Sequence, residues 1–277
     1  MSSRVWFITG CSTGFGRCLA EEVLKTQDKV VVTARKIADI ADFEKKYPGQ
    51  ALCLPLDVTK IPQVNEAVAT AEKHFGKIDI LVNNAGYGMV GAFEESPDSE
   101  IRRMFETNVF GLMNVTRAVL PKMREREAGH IINISSVAGF AATAGFGIYN
   151  SSKFAVEGFS DALALELKPL GIKVTIVEPG PFRTDFAGRS ITKTDIIPDY
   201  EPTVGAMRKY IAALEGGNQA GDPVRAAELI CKLAATGPVT MRMPLGAAAI
   251  ERMRTKLKQV EADLHTWEAD ARSCDRK

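Results

Sequence analysis

The sequence predicts a single α/β domain of the doubly wound kind, with a central parallel sheet of about seven strands and helices on both faces. Three observations carry this expectation. Short apolar, β-branched runs recur along the chain, longer segments of helical period separate them, and the first run opens into a glycine-rich turn.

The runs are VWFI (5–8), KVVVTA (29–34), ALCLPL (51–56), IDILVN (78–83), HIINIS (130–135) and IKVTIV (172–177). They are nearly continuous rather than alternating, as strands buried on both faces require, so the sheet should be parallel and covered by helices. Between them, 16–26, 61–75, 99–126 and 149–169 have helix length and an apolar stripe. The stretch 183–223 is Pro- and Gly-rich and reads as a long excursion, a lid or a disordered segment. Strand and helix signals resume after it, so 1–277 reads as one domain with a helical extension over 247–277. In that extension Met253, Leu257, Val260, Leu264 and Trp267 form a narrow apolar seam on a charged helix. Docking on its own domain is the first expectation for the seam, helix-to-helix dimer contact the second.

Composition narrows the function. With 45% hydrophobic and 25% charged residues over 277 positions, the chain can bury a substantial core. Lys+Arg at 35 against Asp+Glu at 34 gives a net charge of +1, which offers no electrostatic reason to expect nucleic acid or an anionic membrane as partner. Five cysteines without C-x-x-C spacing imply neither a disulfide framework nor a zinc knuckle. No segment reads as a leader or a membrane span, so a cytoplasmic protein with reduced thiols is expected. His74, His130 and His265 fit no metal spacing, and no metal is expected.

The turn FITGCSTGFGR (7–17) admits two readings. Gly10-Cys11-Ser12-Thr13-Gly14 matches the G-x-S-x-G nucleophile elbow of a serine hydrolase. That reading needs an oxyanion donor from an earlier loop and a later acid and histidine, and the turn already follows the first strand. The alternative is a phosphate cradle, in which glycines let backbone N–H groups and a helix N-terminus face an anion.

The second reading gains from motifs further along the chain. Thr9, Gly10, Gly14 and Gly16 match T-G-x-x-x-G-x-G, and NNAG (83–86), Asn108, Ser136, YNSSK (149–153) and PGPFRT (179–184) come after them in order. Ser136 and Tyr149 are 13 residues apart. In these motifs, spread over 5–185, the chain resembles the short-chain dehydrogenase/reductase family, and in ITGCSTGFGR, NNAGYG and its C-terminal extension the branch of 17β-hydroxysteroid and retinol dehydrogenases. The resemblance implies a Rossmann fold, a nicotinamide cofactor and a homo-oligomer, dimer or tetramer.

The residues themselves support chemistry of that kind. Tyr149 and Lys153 are at i and i+4, so on a helix they share a face, and an ammonium beside a phenol favours the phenolate. With oxidised nicotinamide adding its positive charge, Tyr149 is therefore expected to titrate nearer neutrality than a free tyrosine and to act as general acid or base. Ser136 can hydrogen-bond a substrate oxygen, with Ser135 as its structural alternative. By resemblance, Asn108 holds a water that links Lys153 to solvent, Lys153 grips the nicotinamide ribose, and Asn83 braces the central strands. The resemblance also places Gly10, Ser12, Thr13, Gly14, Phe15, Gly16, Asp57, Val58, Asn84, Ala85, Gly86, Pro179, Gly180 and Thr184 around the cofactor, with Tyr149 and Lys153.

An NAD-selective site carries an acid at the end of the second strand, whereas an Arg there can receive a 2′-phosphate. This chain has Ala34, Arg35 and Lys36, so NADP(H) is expected unless Arg35 merely begins a solvated helix. The expected activity is interconversion of a ketone or aldehyde and an alcohol. A 3-oxoacyl thioester reductase and a non-catalytic NADP-binding sensor are the alternatives. The candidate pocket walls, YGMVGAF (87–93), VAGFAATAGFG (137–147), Phe182 and Phe186, are small and aromatic with few charges, which fits a bulky apolar substrate.

Overall fold

The computed structural model describes residues 3–186, 188, 190–214, 217–236 and 240–275. Residues 187, 189, 215 and 216 of the expected excursion, and 276–277 of the extension, lie outside the described residues.

The strands of the main sheet are β1 (Val5–Ile8), β2 (Lys29–Ala34), β3 (Ala51–Pro55), β4 (Ile80–Asn83), β6 (Gly129–Ile134), β7 (Ile172–Pro179) and β9 (Arg242–Leu245). Gly88–Val90 (β5) and Ile191–Lys193 (β8) form a separate two-stranded parallel ladder. The helices are α1 (Gly14–Val23), α2 (Asp42–Lys46), α3 (Ile61–Phe75), α4 (Asp98–Phe105), α5 (Leu112–Glu125), α6 (Gly147–Leu167), α7 (Glu201–Leu214), α8 (Pro223–Thr236) and α9 (Ala247–Arg272).

The main sheet has the order β3-β2-β1-β4-β6-β7-β9, parallel at every pairing. Its runs are continuous in hydrophobicity because each strand serves two cores. Trp6 and Ile8 of β1, with Val30 and Val32 of β2, face α1 and α8, while Val5, Phe7 and Val31 face α3 and α5. Burying a side chain of this size contributes roughly 1.5–3 kcal/mol, so both layers are strongly pinned. Trp6 is fully buried and its indole N–H donates to Asp28 at 2.9 Å, which leaves no orphaned donor under the sheet.

The chain winds outward from β1 to β3 and returns to β4 beside β1. Strand order therefore reverses between β1 and β4, and the crevice beyond the carboxyl ends of these strands is where such sheets bind ligands. Asn83, at the end of β4, is buried and donates to Thr116 and Asn133, both at 2.9 Å, which braces the two central strands as expected. His130 is a satisfied core histidine within hydrogen-bond reach of Thr175 at 3.0 Å, and His74 and His265 are exposed.

Three expectations need correction. The excursion 183–223 contains β8 and α7, because β8 pairs with β5 and Val204, Met207 and Ile211 of α7 pack over Gly145, Val90 and Phe146. The predicted helix over 99–126 is interrupted by a π-helical segment, Glu106–Gly111, which holds Asn108. The seam on α9 does not lie along its own domain. Only Ala249 and Met253 are buried, against Val137 and Phe140, and the helix then leaves the body.

Candidate active site

All the sequence motifs converge on the carboxyl edge of the sheet. The glycine turn leaves β1, Arg35 follows β2, Asp57 follows β3, Asn84–Gly86 leaves β4, Ser136 follows β6 and Pro179–Gly180 ends β7.

The glycine turn is held from below by the β4 loop. Asn84 donates to the carbonyls of Thr9 and Gly10 at 2.8 and 2.9 Å, and the Thr9 hydroxyl accepts from the N–H groups of Asn84 and Ala85 at 2.9 and 3.0 Å. Glycine is required here. Gly10 has φ +71, and a Cβ on Gly16 would stand 2.5 Å from both the Gly10 carbonyl oxygen and Asn84 Nδ2. The N-cap of α1, Thr13, makes no side-chain capping bond, so the first turn, at the carboxyl edge of the sheet, keeps orphan N–H groups without a side-chain partner. An uncapped helix N-terminus under a close-packed glycine turn fits a pyrophosphate. Phe15 is engaged otherwise: its ring lies 5.1 Å from Phe182, and Phe182 is buried in the core. Phe182, which the sequence offered as a pocket wall, therefore packs against the helix that follows the glycine turn. Val58 likewise turns its side chain inward, toward Gly111, and its carbonyl accepts from Asn114 Nδ2 at 3.2 Å.

The reactive cluster sits on α6. Tyr149 is buried, 7% exposed, with its ring 5.6 Å from that of Phe146 and 5.4 Å from that of Phe186. Met89, Met104 and Ala138 complete an apolar enclosure. One turn on, Lys153 Nζ lies 5.9 Å from the Tyr149 ring centroid and donates to the Ile134 carbonyl at 2.8 Å. Ser136 accepts from the Ala138 N–H at 3.1 Å and interacts with the Tyr149 phenol. Its alternative, Ser135, is turned into the protein, where a Cβ on Gly139 would touch its hydroxyl at 2.7 Å.

Asn108 is buried and fixes the loop after NNAG. Its Oδ1 accepts from the Tyr87 N–H at 3.0 Å, and its Nδ2 donates to the Tyr87 carbonyl at 2.9 Å and to Ser152 at 3.1 Å. A Cβ on Gly86 would lie 3.0 Å from Asn108 Oδ1 and 3.8 Å from Lys153 Nζ, so only glycine passes between these groups with ease.

Burial dominates the electrostatics of the chain's own groups. In the free protein burial pushes the Tyr149 phenol up to about 12, and Ser136 offsets part of the rise. Burial also draws Lys153 down to about 8, against the opposing pull of Glu157. Desolvation dominates because both groups are enclosed by the protein itself.

Sequence reasoning missed the group beneath this cluster. Glu157 and Asp161 continue the face of Tyr149 and Lys153 at four-residue steps, and Arg242 of β9 joins them to Glu178 of β7. Arg242 contacts Glu157 closely, Glu178 at 2.8 Å and Asp161 at 2.9 Å. The repeating step was visible in the sequence; the arginine, far along the chain, was not.

Residues 4–195 match the short chain dehydrogenase family. The chain belongs to this family. An oxidoreductase of Botryotinia fuckeliana is 35% identical over 96% of this chain and 97% of its own length. Human retinol dehydrogenase 8 is 37% identical over 70% of this chain and 63% of its own. Among solved structures, a short-chain dehydrogenase from Streptomyces avermitilis superposes with a TM-score of 0.93 at 40% identity, covering 99% of this chain and 100% of the other. A Burkholderia phymatum member at 25% identity and TM-score 0.83, covering 95% of each chain, is in complex with NAD. The structure of ElxO, at 25% identity and TM-score 0.74 over 90% of this chain and 100% of its own, has NADP bound. As a short-chain dehydrogenase the protein is an oxidoreductase of a nicotinamide-binding family. Among the described residues no helix is long and apolar enough to cross a membrane, and no cluster of residues has the makings of a metal site.

Proposed function

We propose that the protein is an NADP(H)-dependent oxidoreductase that interconverts a bulky apolar ketone or aldehyde and its alcohol. The observation that carries this reading is the Tyr149 phenol, buried under Phe146 and Phe186, one helical turn from the Lys153 ammonium and beside Ser136.

The first turn of α1, with Gly10, Ser12, Thr13, Gly14 and Gly16, would hold the pyrophosphate, and Arg35 the 2′-phosphate. Asp57 and the Val58 backbone would meet the adenine. Ala85, Gly86, Pro179, Gly180 and Thr184 would line the nicotinamide half, with Asn84 acting through the turn that it braces. When bound, the reduced cofactor supplies a hydride to the carbonyl carbon and leaves oxidised.

The chain's own residues manage the oxygen. Ser136 donates a hydrogen bond to it, and Tyr149 delivers the proton as charge builds. Lys153 has one of its three N–H donors on Ile134 and two left for a ribose and a water. A ribose oxygen accepting from Lys153 would hold it as the ammonium, and that charge together with the positive charge of an oxidised nicotinamide would bring Tyr149 down toward its working range. Because the Asn108 side chain is already engaged, its water toward Lys153 would sit on its remaining lone pair or its main-chain carbonyl. The apolar enclosure of Tyr149, together with the likeness to a retinol dehydrogenase, supports an apolar substrate.

The test is NADPH consumption against ketones and aldehydes ranging from small diketones to steroids and retinal, with Tyr149→Phe beside the wild type. Turnover of bulky apolar carbonyls that falls by about 10²–10⁴-fold in the variant, with NADPH still bound, is the expected result. Tight NADPH binding without turnover of any carbonyl would favour a sensor.

A further inference from the structure

The outer part of α9 is an apolar seam with nothing of its own domain against it. Met253 is buried, and beyond it Leu257, Val260, Leu264 and Trp267 are 56, 41, 62 and 65% exposed. With Ile250, 38% exposed, they fall at steps of three and four, the a and d positions of a heptad repeat. Isolated surface leucines need no explanation, but a continuous stripe ending in tryptophan marks a contact surface.

We propose that α9 pairs antiparallel with α9 of a second copy of this chain. The occupant follows from the charges that flank the seam. The positions beside it are Arg254 and Lys256 in the first half, then Glu261, Asp263 and Glu268 in the second. A parallel pair would set Lys256 against Glu261 of the second copy, but Asp263 against Glu268, two like charges. An antiparallel pair with Leu257 opposite Val260 of the second copy sets Arg254 against Glu261 and Lys256 against Asp263. The two-fold axis repeats each, giving four complementary contacts and none of like sign. In that register Trp267 faces the second Ile250, and Leu264 lies over the turn of the second Met253, whose own side chain stays buried in its domain.

These charges are available. Among the described residues Lys256, Glu261 and Asp263 form no salt bridge, and Arg254 has only the exposed Glu251 at 3.2 Å. A membrane surface fits less well, because 251–272 carries five basic and five acidic residues, with no net charge to draw anionic lipid. The pairing is independent of the proposed activity, since α9 meets the rest of the chain only through its first turns.

The experiment is solution mass by light scattering on the full chain, with circular dichroism to confirm the fold of each variant. Leu264→Glu should halve the mass. Arg254→Glu with Lys256→Glu makes the flank acidic throughout and should weaken association at least tenfold. Adding Glu261→Lys and Asp263→Lys to that pair should restore it. A wild-type monomer, an unchanged mass in Leu264→Glu, or a four-residue reversal that stays dissociated would each overturn the proposal.

Discussion

Lys153 donates to the main-chain carbonyl of Ile134 at 2.8 Å, and Ile134 ends the strand that carries Ser136 two residues later. One hydrogen bond thus fixes the helix bearing Tyr149 against the strand that leads into Ser136, so the chain's own packing sets the spacing of the Tyr149 phenol and the Ser136 hydroxyl.

That placement has a cost in stability. Burial takes Lys153 from 10.5 down to about 8. The unfolded chain therefore binds the extra proton between these values, and the lysine's contribution is present above 10.5 and lost as pH falls through 8. Lys153→Met should lower turnover by 10²-fold or more, yet flatten the rise of stability from pH 8 to 10. Urea unfolding of both proteins at several pH values is the check, and parallel pH slopes would refute the account.

Arg242 is the only cation in contact with Glu157 and Glu178 among the described residues, and both carboxylates are buried. Burial first, then the charge of Glu157, raises Glu178 from 4.5 to about 7. Its contribution to stability is thus present below 4.5 and lost as pH rises through 7. Arg242→Met strands the carboxylates and should cost about 3 kcal/mol, the low end for a broken buried pair because the guanidinium is partly exposed. The deficit should widen from pH 5 to pH 8, as the carboxylates lose their protons. Thermal melts at both pH values read it directly, and a deficit independent of pH would contradict the shared-charge account.

The glycine turn separates two effects of adding a methyl group. On Gly16 the new Cβ meets backbone at 2.5 Å, whereas on Gly14 it meets only Thr184 at 3.5 Å but sits at φ +60. Gly14→Ala should cost about 1–2 kcal/mol of backbone strain. Gly16→Ala must displace Asn84 or the Gly10 peptide, and should weaken NADH and NADPH alike by tenfold or more. Fluorescence titration of both cofactors decides the matter; equal affinity for wild type and Gly16→Ala would show that the turn yields freely.

The sheet was legible because parallel strands buried on both faces leave runs such as KVVVTA, which hardly resemble anything else. The motif residues were legible because a carboxyl-edge site collects short signals that each follow a strand. Less could be read where the partner is remote. Phe182 looked like a pocket wall, but it packs on Phe15, a contact set by the loop after β7. Glu178 inside the apolar run IKVTIVEP asks for a buried cation, yet nothing local names Arg242, 64 positions away. The excursion read as a loop because β8 has only three residues and exists through its pairing with β5.

The proposed NADP(H) preference rests on the end of β2, where the Leu56 N–H donates to the Ala34 carbonyl at 2.8 Å and so brings Arg35 beside the loop that holds Asp57. Arg35 is exposed and free to turn to a 2′-phosphate, while Ala34 is buried. A charge-assisted hydrogen bond contributes roughly 1.5–3 kcal/mol, so Arg35→Ala should lower the NADPH to NADH ratio of kcat/KM by about 10–100-fold. Ala34→Asp should move the preference the same way, by offering a carboxylate to the ribose hydroxyl and repelling the phosphate. Its burial means that some stability is lost with the change. Steady-state kinetics with both cofactors is the measurement. An unchanged ratio in Arg35→Ala would reduce Arg35 to a solvated helix residue and leave the site without its phosphate ligand.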